Sequence, residues 1–189
     1  MDFNWLNKTN VKILERLIGG KDYFNQIHEK TGIKSKNHLL KNLNLLEEKK
    51  ILIKEKNRSN TFYEINFDNL LTISLLNLIN KSKFEKLPFS VKKSIFELIY
   101  SLKPKIAILF GSYAKENYKK DSDVDLIFID CKKENSIIQE ISLKYGIELK
   151  IIFTNLKDFN SKNEQIAHVL KSGYPLIGEE YFYHEFKKI

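Results

Sequence analysis

Two short apolar runs in the second half of the chain constrain its fold more than any other feature. The runs are IAILF at 106–110 and DLIFI at 125–129, and both are typical of buried strands. The polar segment between them holds a Gly-Ser pair at 111–112 and, after ten residues, Asp-Val-Asp at 123–125. An unpaired charge inside an apolar strand is penalised, so we expect a cation beside the second aspartate.

Strands and helices alternate through the rest of the chain. We predict strands over 105–110, 125–129 and 147–153, and helices over 134–145 and 163–172. Such alternation is typical of an α/β layer, and we expect the sheet to be mixed.

The Gly-Ser and Asp-x-Asp pairs suit a phosphate and a metal ion. Gly111 lacks a Cβ, so a phosphate can approach its backbone closely. Ser112 adds a hydroxyl where a helix can begin, with free N–H groups pointing towards an anion. Asp123 and Asp125 put two carboxylates on one face of a strand, and such oxygens suit Mg²⁺ together with phosphate and water. The alternative is that both aspartates only decorate a turn.

The segment resembles the minimal nucleotidyltransferase (MNT) branch of the DNA polymerase β superfamily. That pattern is a hydrophobic strand, Gly-Ser, a spacer and Asp-x-Asp among apolar residues, and Gly111, Ser112, Asp123 and Asp125 match it. The resemblance extends to about residue 178, because KSGYPLIGEE is similar to the strand that closes many such domains. It implies Mg²⁺ as the cofactor and ATP or another nucleoside triphosphate (NTP) as the substrate.

The resemblance also implies a third carboxylate on the strand after the helix, where Glu148 is the acidic residue. Glu148 could complete the metal site or act as a general base, so we count it among the catalytic candidates. It could equally pair at the surface with Lys150, which shares its face of the strand. Lys115 in the spacer is a candidate for contact with the triphosphate, although a solvated loop is an equal alternative.

The first part of the chain is predicted to hold three helices and a hairpin. The helices are 11–18, 22–30 and 35–49, the strands are 51–56 and 61–66, and Ser35 caps the third helix. This order resembles a winged helix-turn-helix domain. We therefore predict an α+β or α/β chain with a winged helix-turn-helix domain at 1–82, a linker helix at 83–103 and a nucleotidyltransferase domain at 104–189.

Two further helices are expected near this boundary. Residues 68–80 are apolar over most of a helix circumference, which indicates burial in the domain or in a homodimer interface. Ser90 is expected to cap a helix over 91–102 that Pro104 ends.

Positive charge is concentrated in the predicted winged helix. Residues 31–60 hold eight Lys or Arg against three Glu, which favours an anionic partner. The candidate DNA contacts are Lys34, Ser35, His38, Lys41 and Asn42 on the third helix and Lys56 and Arg58 in the wing. The alternatives are a solvated lysine-rich surface and a winged helix that contacts protein.

Bulk features favour a cytoplasmic protein. The one cysteine, Cys131, cannot form an internal disulfide, which suits a reducing compartment. No apolar run is long enough to cross a membrane, and the first residues do not resemble a secretory leader.

These features together predict a nucleotidyltransferase that transfers a nucleoside monophosphate, AMP from ATP above all, to a hydroxyl group. The resemblance implies that this hydroxyl could belong to a protein, because MNT proteins often accompany HEPN-domain ribonuclease toxins and act as antitoxins. The alternative is a DNA-binding regulator whose second domain only binds or senses a nucleotide.

Overall fold

The computed structural model describes residues 5–189, and the chain divides into two compact units. The N-terminal unit ends at Leu76, and the C-terminal unit is Asn77–Ile189. Within the described residues, no helix is both long and apolar enough to cross a membrane.

The N-terminal unit combines helices with a small antiparallel sheet. Its elements are α1 (Lys8–Leu17), β1 (Asp22–Tyr23), α2 (Phe24–Thr31), α3 (Lys36–Glu48), β2 (Leu52–Lys56) and β3 (Thr61–Ile65), and α4 (Leu70–Glu85) begins in it. The strand order is β1-β3-β2. The predicted third helix and hairpin are confirmed, and the Ser35 hydroxyl accepts a hydrogen bond from the His38 backbone N–H as an N-cap should.

The predicted helix over 22–30 is wrong at its start, because Asp22 and Tyr23 form a strand. Asp22 pairs with Tyr63 and Tyr23 with Phe62, so β1 adds a third strand beside the hairpin. The Asp22 carboxylate is buried and makes an ion pair with Arg16. A pairing partner about forty residues along the chain overrides the local helical pattern here.

The boundaries of two helices also differ from their predictions. Charged residues after Asn80 do not end α4, which continues to Glu85. Its side chains are less buried than predicted, since Leu70 and Leu78 are exposed while Leu75 and Leu76 are buried. Ser90 lies inside the next helix rather than capping it, because that helix starts one residue earlier, at Phe89.

The C-terminal unit is built on a four-stranded mixed sheet, as predicted. Its further elements are α5 (Phe89–Leu102), β4 (Ile106–Phe110), α6 (Gly111–Ala114), β5 (Val124–Ile129), α7 (Asn135–Tyr145), β6 (Leu149–Thr154), α8 (Glu164–Ser172), β7 (Tyr174–Ile177) and α9 (Glu179–Phe186). The strand order is β6-β5-β4-β7, with β5 and β6 parallel and the other neighbours antiparallel. Helix α9 was not predicted from the sequence.

The two faces of this sheet carry different side chains. Val124, Leu126 and Phe128 belong to one apolar cluster with Ile95 of α5. Alternate residues of a strand point to opposite faces, so Asp125 lies on the face away from α5. Buried side chains on both faces hold β5 in place, so the Asp125 side chain has a defined direction.

Helix α3 offers a matched test of the N-terminal core. Leu43 is fully buried, whereas Leu40 on the same helix is 42% exposed. We expect Leu43→Ala to lower the free energy of unfolding by about 2–5 kcal/mol, because it removes burial and leaves a cavity. Leu40→Ala should cost roughly 0.5 kcal/mol or less, as is usual for exposed sites. Urea unfolding followed by circular dichroism measures both, and equal losses would contradict this packing.

Candidate functional site

The site begins where β4 turns into α6. Gly111 follows the last residue of β4 with φ of 71°, in the left-handed region that glycine adopts without strain. A Cβ at this position would overlap Oδ2 of Asp125. The overlap arises because Phe110 is the register partner of Asp125 across the β4–β5 pair. Any residue other than glycine would therefore displace the aspartate or the corner.

Ser112 follows in the same corner. Its hydroxyl oxygen is buried and has no hydrogen-bond partner within residues 5–189. Buried hydroxyl groups are normally paired, because an unpaired one costs about 1–3 kcal/mol. The Ser112 hydroxyl is thus an unused hydrogen-bond donor next to the Gly111 corner.

The two aspartates differ in environment although they are nearly adjacent. Asp123 precedes β5 and makes an ion pair with Lys150, which lowers the pKa of Asp123. Asp125 lies within β5 and is partly buried. Burial raises the pKa of Asp125, and the negative charge of Asp123 raises it further. The structure thus brings two carboxylates close enough to repel each other.

Lys150 is the site residue that sequence reasoning missed. Strands β5 and β6 are parallel, and their register places Lys150 opposite Asp125. Its ammonium group pairs with Asp123, whose hydrogen bond raises the pKa of Lys150. The only sequence signal was that Lys150 lies two residues after Glu148 and shares its face of the strand.

Glu148 lies just before β6 rather than in it. Its side chain is 71% exposed, and its Oε1 is 3.8 Å from Nζ of Lys150. Of the roles considered from the sequence, the surface pairing with Lys150 is therefore the contact that is observed. The backbone of Glu148 has a separate role, because its carbonyl accepts the N–H of Val124 at 2.9 Å and fixes the start of β5.

A magnesium ion fits the donors that are present. No group of three or more His, Cys, Asp or Glu side chains within residues 5–189 is placed to hold a metal. Mg²⁺ is nevertheless commonly bound through one or two carboxylates together with substrate phosphates and water. Asp123 and Asp125 would provide those carboxylates, beside the corner formed by Gly111 and Ser112.

The spacer between α6 and β5 is held by aromatic packing. Tyr113 is buried and stacks on Tyr118, with ring centroids 4.4 Å apart. The Ser122 hydroxyl accepts the backbone N–H of Lys119 at 2.8 Å and closes the turn before Asp123. Lys115 is exposed in this spacer, and its backbone N–H bonds to the carbonyl of Gly111.

Most of the predicted DNA contacts are exposed on the N-terminal unit. These are Lys34, Ser35, His38 and Lys41 near or on α3, and Lys56 and Arg58 at the end of β2 and in the turn that follows. The prediction for Asn42 as a surface contact is wrong, because this residue is only 4% exposed. Its amide accepts a hydrogen bond from Asn7 and donates one to the His38 carbonyl, so Asn42 joins helices within the unit.

Lysines that the sequence did not single out lie next to this surface. Lys8 and Lys12 of α1 line a cleft of about 380 Å³ together with Lys34 and His38. His38 also makes a 3.0 Å hydrogen bond with the Thr9 hydroxyl, which links α1 to α3. The cleft concentrates positive charge in a concave surface.

Comparison with known proteins places the second half of the chain. A family model described as "Polymerase beta, Nucleotidyltransferase" matches residues 92–181. A protein of Methanocaldococcus jannaschii named "Putative protein adenylyltransferase" is 32% identical in an alignment of 93 residues that covers 43% of this chain and 93% of that protein.

The solved structures are only weakly similar to this chain. A toxin-antitoxin crystal structure with AMP-PNP is 20% identical, with a TM-score of 0.37 over 51% of this chain and 83% of that one. The DNA-binding protein BpsR of Bordetella bronchiseptica is 15% identical, with a TM-score of 0.36 over 53% and 82%. Neither likeness bears on function at these values. The family model and the archaeal relative do bear on function. They show that this chain belongs to the polymerase beta nucleotidyltransferase family.

Proposed function

We propose that the C-terminal unit transfers AMP from ATP to a hydroxyl group, with Mg²⁺ held by Asp123 and Asp125. The observation that carries this proposal is the contact between Gly111 and Asp125. A corner without a Cβ lies directly against a partly buried carboxylate that has a second carboxylate beside it. Such an arrangement fits a polyphosphate and a cation better than it fits a structural turn, because the two carboxylates still repel each other although Lys150 pairs with Asp123.

Each residue of the site has a role in this reaction. When bound, Mg²⁺ supplies positive charge that offsets the charge of the polyphosphate. Ser112 supplies a hydroxyl donor that no residue within 5–189 uses, and the missing Cβ of Gly111 makes room for the Asp125 carboxylate beside it. Lys150 pairs with Asp123 and lowers the pKa of this carboxyl. Lys115 is placed in the exposed spacer, where its charge can reach the triphosphate.

The transfer itself is a displacement at the α-phosphorus. The acceptor oxygen forms a bond to this phosphorus, the bond to the bridging oxygen breaks, and pyrophosphate leaves. The proton of the hydroxyl passes to water at the open edge of the sheet, where the exposed Glu148 carboxylate can relay it. Positioning and charge neutralisation provide most of the acceleration.

A protein hydroxyl is the acceptor we propose. The name of the archaeal relative specifies transfer of adenylate to protein. The MNT resemblance extends this to a HEPN-type toxin as the acceptor, which would make the chain an antitoxin. A regulator that binds nucleotide without transferring it is the alternative, and transfer measurements separate the two.

The first test is label transfer with the full chain, Mg²⁺ and a total protein extract as the source of acceptors. We expect α-labelled ATP, but not γ-labelled ATP, to label a protein. Asp123→Asn and Asp125→Asn should each lower the rate by roughly 10²-fold or more, as loss of a charge-stabilising group does. Glu148→Gln should lower it by less than about tenfold, because an exposed carboxylate contributes less as a base.

The outcomes of this test are distinct. A loss with Glu148→Gln as large as with the aspartates would place Glu148 at the metal rather than at the surface. Tight ATP binding without label transfer would support the nucleotide sensor instead. Label from γ-labelled ATP that requires the added chain and its Asp123 would indicate phosphate transfer and contradict the proposed reaction.

The same aspartates should have opposite effects on stability. A raised pKa means that folded Asp125 binds its proton more tightly than unfolded Asp125, so stability falls as pH rises from the unfolded pKa to the folded pKa. Asp125→Asn should therefore stabilise the chain at neutral pH, by up to about 1 kcal/mol since Lys150 offsets part of the cost. Asp123→Asn loses an ion pair and should destabilise it by about 1 kcal/mol or less.

Thermal unfolding at neutral and at acid pH measures both effects. The gain from Asp125→Asn should vanish below roughly pH 3, where the wild-type carboxyl is itself protonated. If Asp125→Asn were less stable than wild type at neutral pH, the proposed repulsion between Asp123 and Asp125 would be contradicted.

We also propose that the N-terminal unit binds duplex DNA as a winged helix-turn-helix domain. The basic cleft favours this second function, because Lys8, Lys12 and Lys34 converge there beside the exposed start of α3. Three helices, α1 to α3, precede the β2–β3 hairpin, which is the order that this hypothesis requires. Lysines in such a surface neutralise phosphates and release counterions. DNA binding as a homodimer on two half-sites remains part of the hypothesis.

A charge-matched pair of double variants tests the DNA hypothesis. Lys12→Gln with Lys34→Gln should weaken binding of a labelled duplex by about tenfold and reduce the salt slope by about two. Lys132→Gln with Lys133→Gln removes the same charge from the C-terminal unit and should change affinity by less than about twofold. Fluorescence anisotropy at several salt concentrations measures both. Equal losses in the two variants would show that net charge alone attracts the duplex.

A further inference from the structure

The outward face of α5 carries an aromatic stripe. Phe89, Phe96 and Tyr100 are 69%, 55% and 81% exposed, and Lys93 between them is exposed as well. Their spacings of four, three and four residues keep all four side chains within about 60° on the helix, since each residue turns it by about 100°. Ile95 is buried on the other side of the helix. We call the residues at 89, 93, 96 and 100 the α5 stripe.

The α5 stripe is on the opposite side of the sheet from the candidate site. Ile95 of α5 belongs to the apolar cluster that includes Leu126 of β5. Asp125 is the neighbour of Leu126 in the strand and therefore points to the other face. A partner on the α5 stripe would leave the two aspartates open to nucleotide.

Exposed apolar surface in the C-terminal unit is concentrated on this helix. Three of the six large apolar side chains that are exposed in residues 77–189 belong to the α5 stripe, and the full set is Leu78, Phe89, Phe96, Tyr100, Leu143 and Ile189. At about 150–250 Å² for each aromatic side chain, the three exposed fractions amount to about 400 Å². An apolar patch of this size on a single chain is often functional.

The order of the residues makes the α5 stripe complementary to a second copy of itself. Its positions are symmetric about a point between residues 94 and 95, so in an antiparallel pair of α5 helices position 89 faces position 100, and position 93 faces position 96. Phe89 then packs against Tyr100 of the second copy, and Lys93 lies against the Phe96 ring of the second copy. A twofold axis repeats both contacts.

Lys93 distinguishes this arrangement from a parallel one. In a parallel pair each residue meets the same residue of the other copy, which would place two Lys93 ammonium groups in one layer. In the antiparallel pair each ammonium group meets an aromatic ring, whose face attracts a cation. Lys93 already makes such a contact within one chain, because its Nζ is 5.6 Å from the centroid of the Phe89 ring. A single lysine in a helix seam is a known determinant of register.

We propose that two copies of the chain form a twofold dimer in which their α5 stripes pack antiparallel. The aromatic side chains of both copies contribute about 800 Å², and the residues around them bring the buried area towards about 1,200 Å², the lower end for stable complexes. A reversible dimer with a dissociation constant in the micromolar range is therefore expected. This interface does not depend on the proposed transfer activity.

Sedimentation velocity of the full chain from about 1 to 100 μM measures the association. Wild type should change from monomer to dimer over this range. Tyr100→Glu places a carboxylate against Phe89 of the second copy and should weaken the dimer by about tenfold or more. Leu143→Glu on α7 is the matched control, because Leu143 is 84% exposed but lies outside the α5 stripe, and it should change the affinity by less than about twofold. Melting curves establish that both variants are folded.

Disulfide cross-linking tests the direction of the helices. In a Cys131→Ser background, which removes the single cysteine of the chain, one sample carries Phe89→Cys and a second carries Tyr100→Cys. Mild oxidation of the mixture should link the two kinds of chain, because these positions face each other. Phe89→Cys alone should give little dimer, because its two thiols are about 16 Å apart along the antiparallel helices.

The outcomes decide the proposal. It is overturned if wild type stays monomeric at about 100 μM, or if Tyr100→Glu weakens the dimer no more than Leu143→Glu does. Efficient cross-linking of Phe89→Cys with itself indicates parallel helices and overturns the antiparallel register. Cross-linking of the mixture in preference to either single sample supports it, even if the glutamate variant fails to fold.

Discussion

Two neighbouring carboxylates, those of Asp123 and Asp125, repel each other at the start of β5. The other features of the site depend on this repulsion. Asp125 is partly buried against the Gly111 corner, where its charged form is disfavoured by burial and by Asp123. Lys150 offsets part of this cost, because its ammonium group pairs with Asp123 and its charge also lowers the pKa of Asp125. An exposed ion pair of this kind contributes little by itself, so the pair of carboxylates remains a place where an added cation is favoured.

The sheet holds the two carboxylates in place despite their repulsion. β5 is a central strand, with β6 on one side and β4 on the other, and its residues from Leu126 to Ile129 are fully buried. Burial on both faces fixes the direction of Asp125, so the carboxylate cannot rotate away with the backbone. The Val124 N–H is held by the Glu148 carbonyl, which anchors the same strand at its first residue. A rigid strand is the support that a metal or phosphate site requires.

Local patterns predicted the parts of the site that lie close together in sequence. The apolar strands, the Gly-Ser corner and the Asp-x-Asp pair could be read directly, because backbone and side-chain periodicity determine them. Lys150 could not be placed at Asp123 from the sequence, since the parallel register of β5 and β6 decides that contact. For Asn42, contacts between distant residues made the prediction from sequence wrong. It has the spacing of a surface residue, but contacts with Asn7 and His38 bury it.

Two buried hydroxyl groups of the C-terminal unit lack a hydrogen-bond partner within the described residues. Throughout residues 77–189, the buried side-chain polar atoms that lack a hydrogen-bond partner are the Ser112 and Tyr174 hydroxyl oxygens. One is in the corner beside the aspartates, and the other belongs to Tyr174 of β7, within the apolar cluster. Folding alone gives no reason to retain either, since an unpaired buried hydroxyl costs about 1–3 kcal/mol and a smaller apolar side chain would avoid it. For Ser112, a bound phosphate acceptor next to the aspartates would remove this cost.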